Sequence, residues 1–226
     1  DTTLGYVKTA PSTQVAMIVD PPDGRVPPMI AEAEARVAAR PQRDTSGRSG
    51  ADGPEDLSLF VRCITRGVPG MMMPSIYNNG LQIVQGPGHV AIQKEMIHET
   101  RVIPTEPQPT LGDTLTSWLG TTQGRWDGDT LVVETANVNG RAPYRGSSEN
   151  LTLTERFTRV GETVLEYQFT MDDPTVWTRP WTGMFRFDKD DEQYELVEYA
   201  CHEGNYGMTN ILSGSRAKEQ AETSSR

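Results

Sequence analysis

The chain predicts an all-β, mainly antiparallel fold: a calycin- or lipocalin-like up-and-down β-barrel with an extended N-terminal arm and a C-terminal helix. Three observations point there. Short runs alternate apolar and polar residues with the period of two that a half-buried strand requires. Turn signals such as Asn79-Gly80, Gly86-Pro87-Gly88 and Asp127-Gly128 separate these runs at close spacing. Sixteen prolines and 21 glycines favour many turns and short elements over long helices.

Residues 1–27 contain PPDGRVPP and read as an extended arm, because proline fixes φ and removes a backbone donor. Residues 28–40, PMIAEAEARVAAR, are rich in Ala, Glu and Arg and predict one short helix ended by Pro41. Residues 42–56 show no apolar periodicity and read as a mobile loop. Residues 1–56 are therefore read as the arm, and residues 57–226 as the barrel domain with its terminal helix.

The core begins near Leu57 with the apolar segment LSLFVRCITRGVPG, which carries Cys63. The run Met71, Met72 and Met73 reads as adaptable packing. LQIVQ is a strand, and VAIQKEMIHETRVI is one long strand or two that bend, with Val90, Ile92, Lys94, Met96 and His98 on one face. A short amphipathic helical piece falls near 113–119. GRWDGDTLVVET is a hairpin with Asp127-Gly128 as its turn pair. LTLTERFTRVGETVLEYQFTMDD is a second hairpin. Leu151, Leu153, Glu155 and Phe157 share one face of it, and Leu165, Tyr167, Phe169 and Met171 one face across the turn. GMFRFDKDDEQYELVEYACHE reads as a third hairpin, turning in its acidic run. The tail is helical from about residue 205 to Ser213 and then frays. Eight to ten strands joined in order form an antiparallel meander, whose closure would remove exposed edges. An open antiparallel sandwich is the alternative.

A net charge of −10 and a pI near 4.8 argue against a nucleic-acid partner, since phosphate binding needs excess Lys and Arg. No stretch approaches the ~20 apolar residues of a membrane span, so no membrane insertion is expected. Chain start at Asp1 without Met points to a processed or trimmed chain. Cys63 and Cys201 are either free buried thiols of a cytosolic protein or the single disulfide of an exported one; the disulfide is preferred.

The runs VDPPDGRVPP, YNNGLQIVQGPGHVAI, IHETRVIP, GRWDGDTLVVET, RGSSENLTLTERFTRV, TMDDPTVWTRPWT and EYACHEGNYGM together resemble a large group of exported bacterial proteins, mostly labelled hypothetical. The resemblance runs from about Val19 to Ala217. Members usually carry a signal peptide and an upstream segment ending in a motif like DLSGVW, which this chain lacks. The resemblance implies export, periplasmic or extracellular, and brings no established activity.

Chemistry must therefore come from the residues. His98 and His202 are the acid/base candidates, because imidazole titrates near neutral pH and each is read at a strand end. Glu155 falls on an apolar face and must be paired or have a raised pKa, with Arg101, Arg179 or His98 as partners. Asp173 is either a turn former or a catalytic aspartate. Trp177, Trp181, Tyr77 and Tyr199, with Arg179 and Arg101, are the substrate-binding candidates for a sugar or aromatic ring. No nucleophile elbow, phosphate loop or dinucleotide fingerprint occurs, and no HExxH or CxxC pair. No cofactor is called for.

These residues support three readings. One is an exported, cofactor-free acid/base lyase, hydratase or isomerase acting on a carbohydrate-like or aromatic small molecule in the barrel mouth, with His202 as principal group, Glu155 as its partner and His98 completing the set. The second is a non-catalytic lipocalin-like carrier of a small hydrophobic or sugar ligand. The third is a metal-dependent enzyme using His98 and His202. A homodimer is compatible with each.

Overall fold

The computed structural model describes residues 7–9, 14, 16–39, 51–75, 77–109, 112, 114–189 and 195–224. Its elements in chain order are β1 (Val7–Thr9), β2 (Ile18–Asp20), α1 (Ala31–Ala39), β3 (Leu81–Gly86), β4 (His89–Lys94), β5 (Thr100–Pro104), β6 (Thr121–Asp127), β7 (Thr130–Ala136), β8 (Thr152–Arg159), β9 (Val164–Asp172), β10 (Trp181–Lys189) and α2 (Tyr206–Ser224). Every strand pairing is antiparallel. The predicted antiparallel β architecture with a C-terminal helix is thus present.

The strands form two ladders. A seven-stranded sheet runs β1-β10-β9-β8-β7-β6, with β2 also paired to β10, and a three-stranded sheet runs β3-β4-β5. Among the described residues the two ladders are not joined into a closed barrel. They meet where β5 crosses β6 at Gly124. A Cβ there would come within 2.8 Å of Ile103 Cγ2, so only glycine allows the approach. Gln123 reinforces the crossing by donating from Nε2 to the Pro104 carbonyl at 3.0 Å.

The period-two patterns dictate which face is buried. In β8 the alternation buries Leu153, Glu155 and Phe157; in β9 it buries Leu165, Tyr167, Phe169 and Met171. Val90 and Ile92 of β4 and Ile103 of β5 turn into the same core, joined by Met71, Met72 and Met73. Phe169 presses its ring on Gly183 of β10, where a Cβ would sit 2.3 Å from Cζ. Tyr167, Phe169 and Trp181 pack as a run of aromatic contacts, with centroids 5.7 Å apart in each step. Such rings fill space between sheets with large apolar area.

Several sequence expectations change. The third hairpin does not form: residues 195–200 carry no strand, and 190–194 lie outside the described residues. β10 has no edge left to receive a returning strand, because β9 occupies one side and β1 and β2 the other. No helix is found near 113–119 among the described residues; Ser117 instead bridges Val138 in parallel. The tail helix does not fray at Ser213 but continues to Ser224. The expected 42–56 loop lies outside the described residues up to position 50. Beyond it, Ala51 is buried and donates its backbone N–H to Ser215 Oγ of α2 at 2.8 Å. The hairpin between β6 and β7 places Gly128 and Asp129 in its loop, one position later than expected, with Gly128 at φ +59°. Glycine is favoured at the first central position of such a turn.

Cys63 and Cys201 are disulfide-bonded, with Cα atoms 5.8 Å apart and a sequence separation of 138. The bond ties the segment before α2 to the irregular 57–66 stretch.

Candidate functional site

The stretch Leu57–Arg66 is the centre of the exposed chemistry. Backbone bonds from Arg62 to Ser58, Cys63 to Phe60 and Ile64 to Leu59 wind it into successive turns. Cys63 sits at φ +57°, and Asn205 Nδ2 donates to the Val61 carbonyl at 2.8 Å, so disulfide and side chain hold it from the α2 end. An open space lies on either side, and Phe60 lines both.

The smaller space is a groove of about 410 Å³ bordered by the disulfide, Tyr77, Tyr199 and Asn205. Tyr77 and Tyr199 stack with centroids 6.5 Å apart, and their hydroxyls are 3.4 Å apart. Burial, then the bond to Tyr77 and its nearby phenol, push the Tyr199 pKa up to about 12. Beside it, the rings of His98 and His202 lie 6.0 Å apart. Neither histidine ends a strand as expected. His98 closes the 3-10 turn Met96–His98 between β4 and β5, and His202 sits in the turn before α2. His98 Nδ1 lies 3.0 Å from the Tyr199 carbonyl, so it donates there and Nε2 is left as the ring's basic nitrogen. Both histidines are exposed. Among the described residues no three His, Cys, Asp or Glu side chains gather as a metal site.

Glu155 does not join them. It is fully buried between the sheets, with Oε2 2.7 Å from Arg101 Nη1 and Oε1 accepting from the Tyr167 hydroxyl at 2.8 Å. Arg101 Nη2 donates to Thr135 Oγ1 at 3.0 Å. The Nη1–Oε2 contact is close but not aligned as a hydrogen bond, so it is a Coulombic pair. Burial, then the Glu155 charge and hydrogen bond, push the Tyr167 phenol well above its ordinary range. Arg101 is therefore the partner of Glu155, and neither faces a ligand space.

The remaining sequence candidates are placed structurally. Asp173 is buried and accepts from Ser148 N at 2.7 Å, Ser148 Oγ at 2.9 Å, Thr175 N at 3.1 Å and Thr175 Oγ1 at 2.7 Å. Those bonds fasten the β9–β10 connection to the loop before β8. Trp177 and Trp181 are core side chains in edge contact, 5.5 Å between centroids. Arg179 is exposed and donates to both carboxylate oxygens of Asp20 at 2.8 Å.

The larger space is an open cleft of about 900 Å³. Its apolar wall includes Leu57, Leu59, Phe60, Met73 and Trp118, and its charged lining is Arg62, Arg66, Arg141 and Glu55. Arg66 is half-buried; burial lowers its pKa while Glu99 and Tyr144 raise it, and Nη1 donates to the Met73 carbonyl at 3.0 Å. Glu99 accepts from the Thr65 hydroxyl, and burial raises its carboxyl pKa. Behind Arg66, Lys94 is buried and donates to the Asn79 carbonyl at 2.9 Å. Burial, then the Arg66 charge, bring its pKa down to about 8. The guanidinium groups of Arg62 and Arg141 carry no ion pair or hydrogen bond among the described residues.

Sequence reasoning missed this cleft. It is assembled from residues 55–73, Trp118 and 141–144, three segments whose meeting no local pattern encodes. A signal was present in LSLFVRCITRG, where Arg62 and Arg66 interrupt an apolar run that holds no acidic residue.

No protein-family model and no curated protein matches the chain. Among solved structures, a secretary abundant heat soluble (SAHS) protein from Ramazzottius varieornatus, from a dimer sample, is similar at 14% identity. The match covers 62% of this chain and 90% of that chain, with a TM-score of 0.32. No helix among the described residues is long and apolar enough to cross a membrane.

Proposed function

We propose that this protein is an exported, non-catalytic carrier of a small molecule with an apolar body, held in the cleft beside the Leu57–Arg66 stretch. The observation that carries the reading is the cleft itself: about 900 Å³, with an apolar wall of Phe60, Leu57, Leu59, Met73 and Trp118 and polar side chains, the arginines among them, set around it. Ligand sites are concave, largely apolar and of this size, with a few placed polar side chains to fix orientation. The buried Glu155 speaks against the lyase reading, because its charge is spent on Arg101 inside the core. The disulfide and the resemblance to exported bacterial proteins support export.

Isothermal calorimetry with naphthylacetate, naphthylacetamide and naphthylethylammonium tests the carrier reading. Saturable one-to-one binding of at least one probe, weakened in Trp118→Ala, is the expected result. Absence of saturable binding for all three sinks it.

A second reading rests on His98 and His202, whose rings lie 6.0 Å apart beside the two tyrosines. There, one imidazole accepts a proton while the other donates. Screening the protein for lyase and isomerase turnover against sugar acids and aromatic substrates, alongside His202→Ala, tests it. Turnover that survives the substitution removes the histidine from the chemistry.

A further inference from the structure

Arg62 and Arg141 line the same cleft, and neither guanidinium has an ion-pair or hydrogen-bond partner among the described residues. Unpaired arginines in one place need a reason in a chain of net charge −10. Among the described residues Arg125 pairs with Glu134, Arg156 with Asp127, Arg179 with Asp20 and Arg186 with Glu166, while Arg25 and Arg145, which also lack an ion pair, do not line the cleft. The cleft lining carries three arginines against one acid, Glu55, a local balance of +2. Arg66, the third, is already engaged by Met73 and Glu99.

We infer that the cleft selects an organic acid: a molecule with an apolar, aromatic-sized body and one carboxylate, its head held by Arg62 and Arg141 and its body laid against Phe60 and Trp118. This rests on the carrier reading above. The planar guanidinium matches a carboxylate with two parallel N–H donors, a geometry that an alcohol or amide head does not reproduce. The acidic surface elsewhere repels free anions, so the cleft is where an anion is drawn in, and the apolar wall rejects acids that lack a body. The charge in the cleft also repels cationic analogues of the same shape.

The calorimetric probes differ only in their heads, so they separate this inference from the reading beneath it. Naphthylacetate is expected to bind roughly tenfold or more tightly than the neutral naphthylacetamide, the fold-change a charge-assisted hydrogen bond supplies. Naphthylethylammonium is expected to bind weakest. The paired substitution Arg62→Gln with Arg141→Gln should bring the acetate and acetamide affinities together. Arg145→Gln, an exposed arginine outside the cleft lining, should leave the preference intact. Raising the salt concentration should weaken the acetate alone. Equal binding of acetate and acetamide overturns the acid clamp while leaving the carrier standing, as does a preference that persists in the paired variant. If no probe binds, the carrier reading and the clamp fall together. A circular dichroism spectrum matching the parent shows that a loss in the paired variant belongs to the cleft and not to unfolding.

Discussion

Glu155 Oε2 lies 2.7 Å from Arg101 Nη1, and the two side chains are 0% and 2% exposed. Each charge is tolerated in the core only because the other is there. Glu155→Gln should therefore destabilise the fold by about 3–5 kcal/mol, since it leaves the guanidinium buried and uncompensated. The double change Arg101→Met with Glu155→Leu should cost much less than the single one. Urea unfolding of the parent, the single and the double variant checks this; a double variant worse than Glu155→Gln would contradict it.

The disulfide joins cysteines at a sequence separation of 138. Cys63→Ser with Cys201→Ser should lower stability by about 2–5 kcal/mol. The same change releases the Leu57–Arg66 stretch, so probe affinity in the cleft should fall with it. Denaturant midpoints and calorimetry on the same samples test both halves. Thiol titration of the denatured, unreduced protein should find no free thiol.

Lys94 has its pKa brought down from 10.5 to about 8 by burial and by Arg66. Between those values the unfolded chain holds a proton on this lysine and the folded chain does not. Stability gained from Lys94 therefore rises as pH climbs from about 8 towards 10.5, on the order of 2 kcal/mol. Unfolding free energies at pH 7.5, 8.5 and 9.5 should show that slope, and Lys94→Met should flatten it. An unchanged slope in the variant assigns it to another group.

His202 is exposed, and among the described residues its ring makes no hydrogen bond to hold a fold element. His202→Ala should change stability by no more than about 0.5 kcal/mol. If a lyase or isomerase activity is found, the same variant should lose about 10²–10⁴-fold in turnover. A large loss of stability instead would show the histidine to be structural.

Much of the fold was legible because it is built from local contrast. The faces of β8 and β9 alternate so strictly that Glu155 stood out as an inward charge, and Arg101 was among the few groups able to answer it. The pairing of Cys63 with Cys201 was legible from a count of two. The YELVEYA segment misled because its alternation satisfies a strand while the sheet has no vacant edge beside β10. His98 misled similarly: the β4 alternation stops at Lys94, where a 3-10 turn with Ile97 at φ +63° reverses the chain. Trp177 and Trp181 looked like ligand platforms because an aromatic pair reads the same in a core and in a cleft. The arginine-lined cleft was harder to read for a different reason: LSLFVRCITRG hints at it, but Trp118 and residues 141–144 reach it only through tertiary assembly.

The covering of β10 by β1 and β2 also sets an order of events. The arm is the first part of the described chain to leave a ribosome or a membrane channel, and its docking strip, Trp181–Lys189, is nearly the last. Through almost the whole of vectorial emergence the arm has nothing to pair with. Seating it must then be a closing act, and until it happens the far side of β10 is an open seam on which two nascent copies can join edge to edge.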